Sequence, residues 1–134
     1  MNSLSEASED YLERISELLS EKGYARVSDM AERLAIKPAS VTKMVQKLEQ
    51  MGYIKREPYR GFTLTILGQK VGKRISHRHL ILKEFLTLLG VSGKAMQKDI
   101  EGLEHHLSDE SVKGLERMIA QWPSFGKTKK QKTV

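Results

Sequence analysis

The sequence predicts a mostly α-helical chain that opens with a winged helix-turn-helix and continues into helices alone. Three observations predict it. Apolar residues recur at helical spacing over most of the 134 residues. Two helical segments are separated by only the tight turn Ala35-Ile36-Lys37. Directly after them, two short β-prone runs flank Glu57-Pro-Tyr-Arg-Gly61, a hairpin where a wing would stand.

The elements follow in order. Residues 4–22 form a helix with Leu4, Tyr11, Leu12, Ile15, Leu18 and Leu19 as its apolar stripe. Lys22-Gly23 closes it with a cation in the last turn and a glycine just beyond. Ser28 is expected to cap a short helix, Asp29 to Leu34, with Glu32 near capping-box spacing. Pro38 suits the first turn of the next helix, which runs to about Met51. Tyr53–Arg56 and Phe62–Thr65 read as the two strands. Thr65 caps a long helix to about Leu89, ended by Gly90. Helices over Lys94–Leu107 and Asp109–Trp122 follow, with Ser108 capping the second. From Pro123 the chain is Lys-rich with Gly and Thr, and a disordered basic tail is expected. The expected domains are therefore 1–71 (winged helix-turn-helix), 72–122 (helical) and 123–134 (tail), with no internal repeat.

Composition narrows the class. No uninterrupted apolar run exceeds three residues, as in Leu80-Ile81-Leu82, so no membrane span is expected. No basic segment followed by an apolar core opens the chain, so no signal peptide is expected either. The absence of Cys removes disulfides, thiolate metal sites and cysteine nucleophiles, and suits a reducing cytoplasm. The net charge of +6 is unevenly spread. Residues 1–25 carry −4 and residues 75–122 carry −1, whereas residues 26–74 hold eleven basic against four acidic side chains, or +7. A basic middle beside acidic neighbours is the pattern of a phosphate-facing surface next to a cation-collecting one.

The helix from Pro38 supplies the chemistry of the basic middle. Val41, Met44, Val45 and Leu48 share a face and belong to the core. The opposite face presents Ala39, Thr42, Lys43, Gln46 and Lys47, with Lys37 and Ser40 at the start of the helix and no acid among them. Lys and Gln reach base edges in a major groove, while Ala and Thr approach thymine methyl groups. Arg60 at the wing tip could enter a minor groove, and Lys55 and Arg56 could hold phosphates. The first domain is thus read as DNA-binding. A module this small buries too little to hold one half-site tightly, so a homodimer on a near-palindrome of double-stranded operator DNA is expected. The later helices carry Ile81, Leu82, Phe85, Leu86, Leu88, Leu89 and Leu103, more apolar surface than a monomer needs, and are read as a dimerisation domain.

A second pattern is superposed on the first. Glu6, Asp10, Glu13 and Glu17 share one face of the first helix, nearly opposite its apolar stripe, which taken alone reads as a solvated acidic face. In Glu101-Gly-Leu-Glu104-His105-His106, Glu101, Glu104 and His105 fall within about 100° of arc beside the apolar line of Ile100, Leu103 and Leu107, where side chains are half-buried; His106 is rotated away. His79 continues the apolar line of Ile75, Leu82 and Leu86 and is expected to point inward. Asp10, Glu13, Glu101 and Glu104 with His79 and His105 make four carboxylates and two imidazoles, a first shell for a divalent metal that prefers oxygen and nitrogen ligands. Two carboxylates 4 Å apart repel by about 4 kcal/mol at an effective dielectric near 20. A divalent cation reverses that sign, so metal uptake could switch the orientation of two reading heads.

Glu21-Lys-Gly-Tyr-Ala-Arg-Val-Ser-Asp29, Ser40-Val-Thr-Lys-Met-Val-Gln-Lys-Leu48, Tyr59-Arg-Gly61 and Glu101-Gly-Leu-Glu-His-His-Leu-Ser108 resemble the manganese-responsive branch of the diphtheria-toxin-repressor family over essentially the whole chain. The resemblance implies a dimeric cytoplasmic repressor of manganese uptake genes with a two-metal site, that is, two Mn(II) per subunit. It implies Asp10, His79, Glu101 and Glu104 around one ion, and Glu13, Glu101, Glu104 and His105 around the other. The iron-responsive branch resembles this scaffold but carries Met in place of Asp10 and Cys in place of Glu101, and hard oxygen ligands at both favour manganese. Lys83, one turn after His79, stands where relatives tend to have a carboxylate, which argues against a further ligand there. The iron branch's extra C-terminal domain is not expected.

Two other readings compete. One is a winged-helix regulator answering iron, zinc or an organic ligand, with the acids merely solvated. The other is a metal-dependent hydrolase, since carboxylate and imidazole can activate water. His-Glu-x-x-His, a nucleophile motif and a Gly-rich phosphate loop are all missing, so an enzyme acting on a small organic substrate is not expected.

Overall fold

Ser5 sets the start of the first helix, α1 (Glu6–Lys22), by accepting the Ser8 amide at 3.1 Å. Gly23, at φ 80°, ends it by returning its N–H to the Leu19 carbonyl. The structure is a computed structural model that describes residues 4–122 in full and the backbone alone over 123–133, where the last helix continues through the segment expected as a disordered tail.

α2 (Val27–Leu34) begins two residues before the expected Asp29. Arg26 holds the N-cap position, no side chain caps the helix, and Ser28 lies inside its first turn rather than before it. The reason is non-local. Ala25 is paired through both its N–H and its carbonyl with Phe62, so the chain leaves an extended bridge at Arg26 and turns directly into helix. Ala35, at φ 54°, closes α2 through amide bonds to the Ala31 and Glu32 carbonyls. Pro38 then stands in the first turn of α3 (Pro38–Gln50), where its missing N–H costs nothing.

β1 (Ile54–Glu57) and β2 (Gly61–Leu64) pair antiparallel, with Ile54 opposite Leu64 and Arg56 opposite Phe62. The Ala25–Phe62 bridge adds a third strand position to this wing. Thr65 donates to the Gly52 carbonyl at 2.6 Å and accepts the Gly68 amide at 3.1 Å, capping α4 (Ile66–Leu88) as expected. α5 (Gly93–His106) and α6 (Asp109–Thr133) follow, and Ser108 accepts the Ser111 amide at the start of α6. Among the described residues no helix is long and apolar enough to cross a membrane.

The chain divides inside α4 into two units, Met1–Ser76 and His77–Val134. In the first, Leu12, Ile15 and Leu18 of α1 meet Met30, Val41, Val45 and Leu48 of the helix pair and Ile54, Phe62 and Leu64 of the wing. Gly72 lets α4 come down on α1: a Cβ there would stand 3.2 Å from Ser16 Cβ and 3.3 Å from the Leu12 carbonyl. In the second, Leu82 and Leu86 of α4 pack with Ile100 of α5, flanked by Phe85, Val91, Met96, Leu107 and Leu115. Leu80, Leu89 and Leu103 stay 57%, 56% and 37% exposed, an apolar excess at the surface of this unit.

Gly61 joins wing to core. It sits at φ 94°, and a Cβ on it would collide with the Ala25 carbonyl that holds the bridge. Gly61→Ala is therefore expected to destabilise the first unit by about 1–3 kcal/mol, read as a lower urea midpoint, because a strained backbone and a broken bridge coincide.

Candidate metal centre and nucleic-acid interface

The α5 C-terminal turn carries the chemistry of the second unit. Glu104 is 1% exposed, although Glu101, one turn earlier, is exposed. Glu101 therefore departs from the half-buried position expected of it, since the apolar face of α5 turns on Ile100 and Leu103 itself is partly solvated. His79 Nδ1 lies 3.1 Å from Glu104 Oε2, and His105 Nε2 lies 3.5 Å from Glu104 Oε1. The carboxylate thus stands between two imidazoles. Its Oε1 is buried and has no hydrogen-bond partner among the described residues. A carboxylate oxygen held dry without a donor, next to ring nitrogens and in a chain without thiols, fits a hard or borderline divalent cation.

His79 is half-exposed, its side chain 37% accessible, and not the inward residue expected from its register. Arg78 takes that place at 3% exposure. It lies three residues after Ile75 and four before Leu82, so the same apolar line includes it. Its guanidinium donates to the Glu104 and Leu107 carbonyls and pairs with Asp109 Oδ1 at 2.6 Å. His77 faces water and meets Glu116 at 3.0 Å.

In the first unit, Glu13 is 2% exposed and Asp10 half-buried, so the acidic face of α1 is not the solvated one that its position opposite the stripe suggests. Arg14 lies among these acids, 2.6 Å from Glu17, 3.9 Å from Asp10 and 4.0 Å from Glu13. Burial alone would lower the Arg14 pKa, but the negative charges of Glu17, Glu13 and Asp10 together outweigh it and the pKa is raised. Arg33 joins α2 to α1 through Glu21 at 2.6 Å and Glu17 at 3.4 Å. Neither Arg14 nor Arg78 was singled out by sequence pattern, which marks charge but not what the charge touches.

The reading face of α3 is open. Ala39, Ser40, Lys43, Gln46 and Lys47 are exposed, as is Lys37 at the N-cap, while Val41, Val45 and Leu48 are buried on the other side. Thr42 is half-buried and its hydroxyl returns to the Pro38 carbonyl at 3.1 Å. On the wing, Lys55, Arg56 and Arg60 are exposed, but Arg56 Nε is drawn to Glu49 at 2.9 Å. Tyr59, beside Arg60, is fully exposed and sits at φ 67°.

Comparison with known proteins gives one consistent answer. The model of the iron dependent repressor N-terminal DNA binding domain matches residues 3–62, and that of the iron dependent repressor metal binding and dimerisation domain matches residues 65–123. The HTH-type transcriptional regulator MntR of Bacillus subtilis (strain 168) is 55% identical over 104 residues, covering 78% of this chain and 73% of the relative. Its counterpart in Bacillus velezensis is 48% identical over 123 residues, covering 92% and 87%. Among solved structures, that of the manganese regulator SloR superposes with a TM-score of 0.75 at 27% identity over 84% of this chain; the chain spans 53% of the SloR chain, about half its length. With two relatives near half identity matched over most of their own length, the chain belongs to the iron dependent repressor (diphtheria-toxin-repressor) family of transcriptional regulators, and is not an enzyme.

Proposed function

We propose that this regulator is a manganese-dependent repressor that binds operator DNA as a homodimer when Mn(II) occupies a binuclear site, and that it governs manganese uptake genes in the cytoplasm. The observation that carries the metal half of this reading is Glu104, a buried carboxylate with one oxygen lacking a hydrogen bond and an imidazole on either side. The donors proposed are Asp10, Glu13, His79, Glu101, Glu104 and His105, all oxygen or nitrogen. The likeness to SloR, a manganese regulator, supports the choice of metal.

Each group of residues has a separable task. Glu104 and His105 lie one residue apart on the last turn of α5, so their donors are placed by one short piece of backbone. Asp10 and Glu13 stand on α1, whose apolar face is the floor of the DNA-reading module. Bound there, a divalent cation supplies the positive charge that turns repulsion between these acids into attraction. Lys43, Gln46 and Lys47 with Ala39, Ser40 and Lys37 meet bases and phosphates from α3, and Lys55, Arg56 and Arg60 do so from the wing. The exposed Leu80, Leu89 and Leu103 form the surface on which a second copy would pack.

Three measurements test this. Glu104→Ala or His105→Ala should abolish Mn(II)-dependent operator binding in a gel-shift assay while leaving the circular dichroism spectrum unchanged; retention of metal dependence would remove these ligands. Lys43→Ala should weaken operator binding by about tenfold and flatten its salt dependence by roughly one counterion, the scale of one lost base or phosphate contact. Asp10→Met exchanges a hard oxygen donor for a soft thioether and should move the activation ranking of divalent metals from manganese toward iron. An unchanged ranking would refute the role given to Asp10.

A further inference from the structure

Arg78 is a charged side chain that the proposed reading leaves without a task, yet it is among the few charged groups buried in the molecule, at 3% exposure. A helix leaves its last carbonyls without intrahelical donors. α5 ends at His106, and the Glu104 carbonyl together with that of Leu107, the C-cap residue, receives Arg78 Nη1. Nη2 continues to Asp109 Oδ1 at 2.6 Å, in the first turn of α6. One guanidinium from α4 therefore holds the end of α5 and the beginning of α6. A cation is also what a helix C-terminus and an acid at a helix N-terminus both favour.

From this geometry we infer that Arg78 is a positioning residue for the metal donors: it clamps the backbone turn that carries Glu104 and His105, and so sets them for ligation beside His79. The inference rests on the metal-site reading above. Arg78 bonds the backbone carbonyl of the very residue whose side chain faces both imidazoles. It also precedes His79 on α4, so the donors of the two helices are referred to each other by a single planar, five-donor group. Three ligand-capable residues, His79, Glu104 and His105, thereby gain a fixed mutual spacing before any cation arrives, and the ordering cost of ligation falls.

The test is Mn(II) affinity of the full-length protein, measured by the loss of the free aqueous Mn(II) electron paramagnetic resonance signal well below the melting temperature. Arg78→Met keeps an unbranched apolar stem but removes the guanidinium donors, and should raise the Kd for Mn(II) about tenfold, the usual scale for an outer partner of a metal ligand. Arg78→Lys, which keeps a charge able to reach one carbonyl, should restore part of the loss. Asp109→Asn, on the exposed arm of the clamp, should cost a smaller factor without threatening the fold, and decides the matter if Arg78→Met does not fold. Glu104→Ala separates the two layers of inference. If it still binds Mn(II) like the wild type, the site itself is misassigned. If it loses binding while Arg78→Met and Asp109→Asn both bind Mn(II) with wild-type affinity, the positioning role of Arg78 is overturned.

Discussion

A carboxylate enclosed in protein must be compensated, and the surroundings of Glu104 are organised around that requirement. Moving such a group out of water without partners costs several kcal/mol. Here compensation is partial: one oxygen meets His79, while the other has His105 at 3.5 Å and no hydrogen bond. The backbone behind it is secured by Arg78, and the helix that bears it is packed through Ile100 against Leu82 and Leu86. The apolar core of the second unit has three buried members among the described residues, Leu82, Leu86 and Ile100, so polar interactions such as those of Arg78 contribute to its geometry near Glu104.

The first unit solves a different problem. It exposes an acid-free helix face while keeping the opposite face of the same helix dry. α3 manages this with three buried apolar residues at positions 41, 45 and 48, spaced so that Lys43, Gln46 and Lys47 are rotated outward. Six of the ten acids of this unit stand on α1, where Arg14 and Arg33 meet Asp10, Glu13, Glu17 and Glu21. Glu49 is the exception close to the reading face, and it is occupied by Arg56.

Much of this was legible in the sequence, and what was not has a physical reason. Helical spacing, breakers and caps located the six helices and the hairpin of the described residues, since burial of one face and caps at Thr65 and Ser108 are local chemistry, but they ended the last helix at Trp122 where its backbone runs on to Thr133. The start of α2 falls before the expected Asp29 because it is fixed by the pairing of Ala25 with Phe62, a contact 37 residues distant that no local signal announces. The site was half legible. Residue types and spacing pointed to Glu104 and His105, but an apolar line on a helix admits neighbours at both i+3 and i+4. It could not tell whether Arg78 or His79 would turn inward after Ile75, and the larger, charged side chain did. The same ambiguity hid the burial of Glu13 and the exposure of Glu101, since periodicity fixes angles within a helix and not what covers it.

The Ala25–Phe62 bridge also bears on how the wing moves. A lone two-stranded hairpin is marginal in water and opens easily. This one shares its second strand with a segment rooted between α1 and α2, and Phe62 itself lies in the main core. Amide exchange at Phe62 and Ala25 would thus require opening of the core and report global stability, whereas amides near Tyr59 would exchange by local fluctuation. The wing is consequently a rigid stem with a yielding tip, a division of stiffness that lets one end keep its register while the other conforms to whatever it meets.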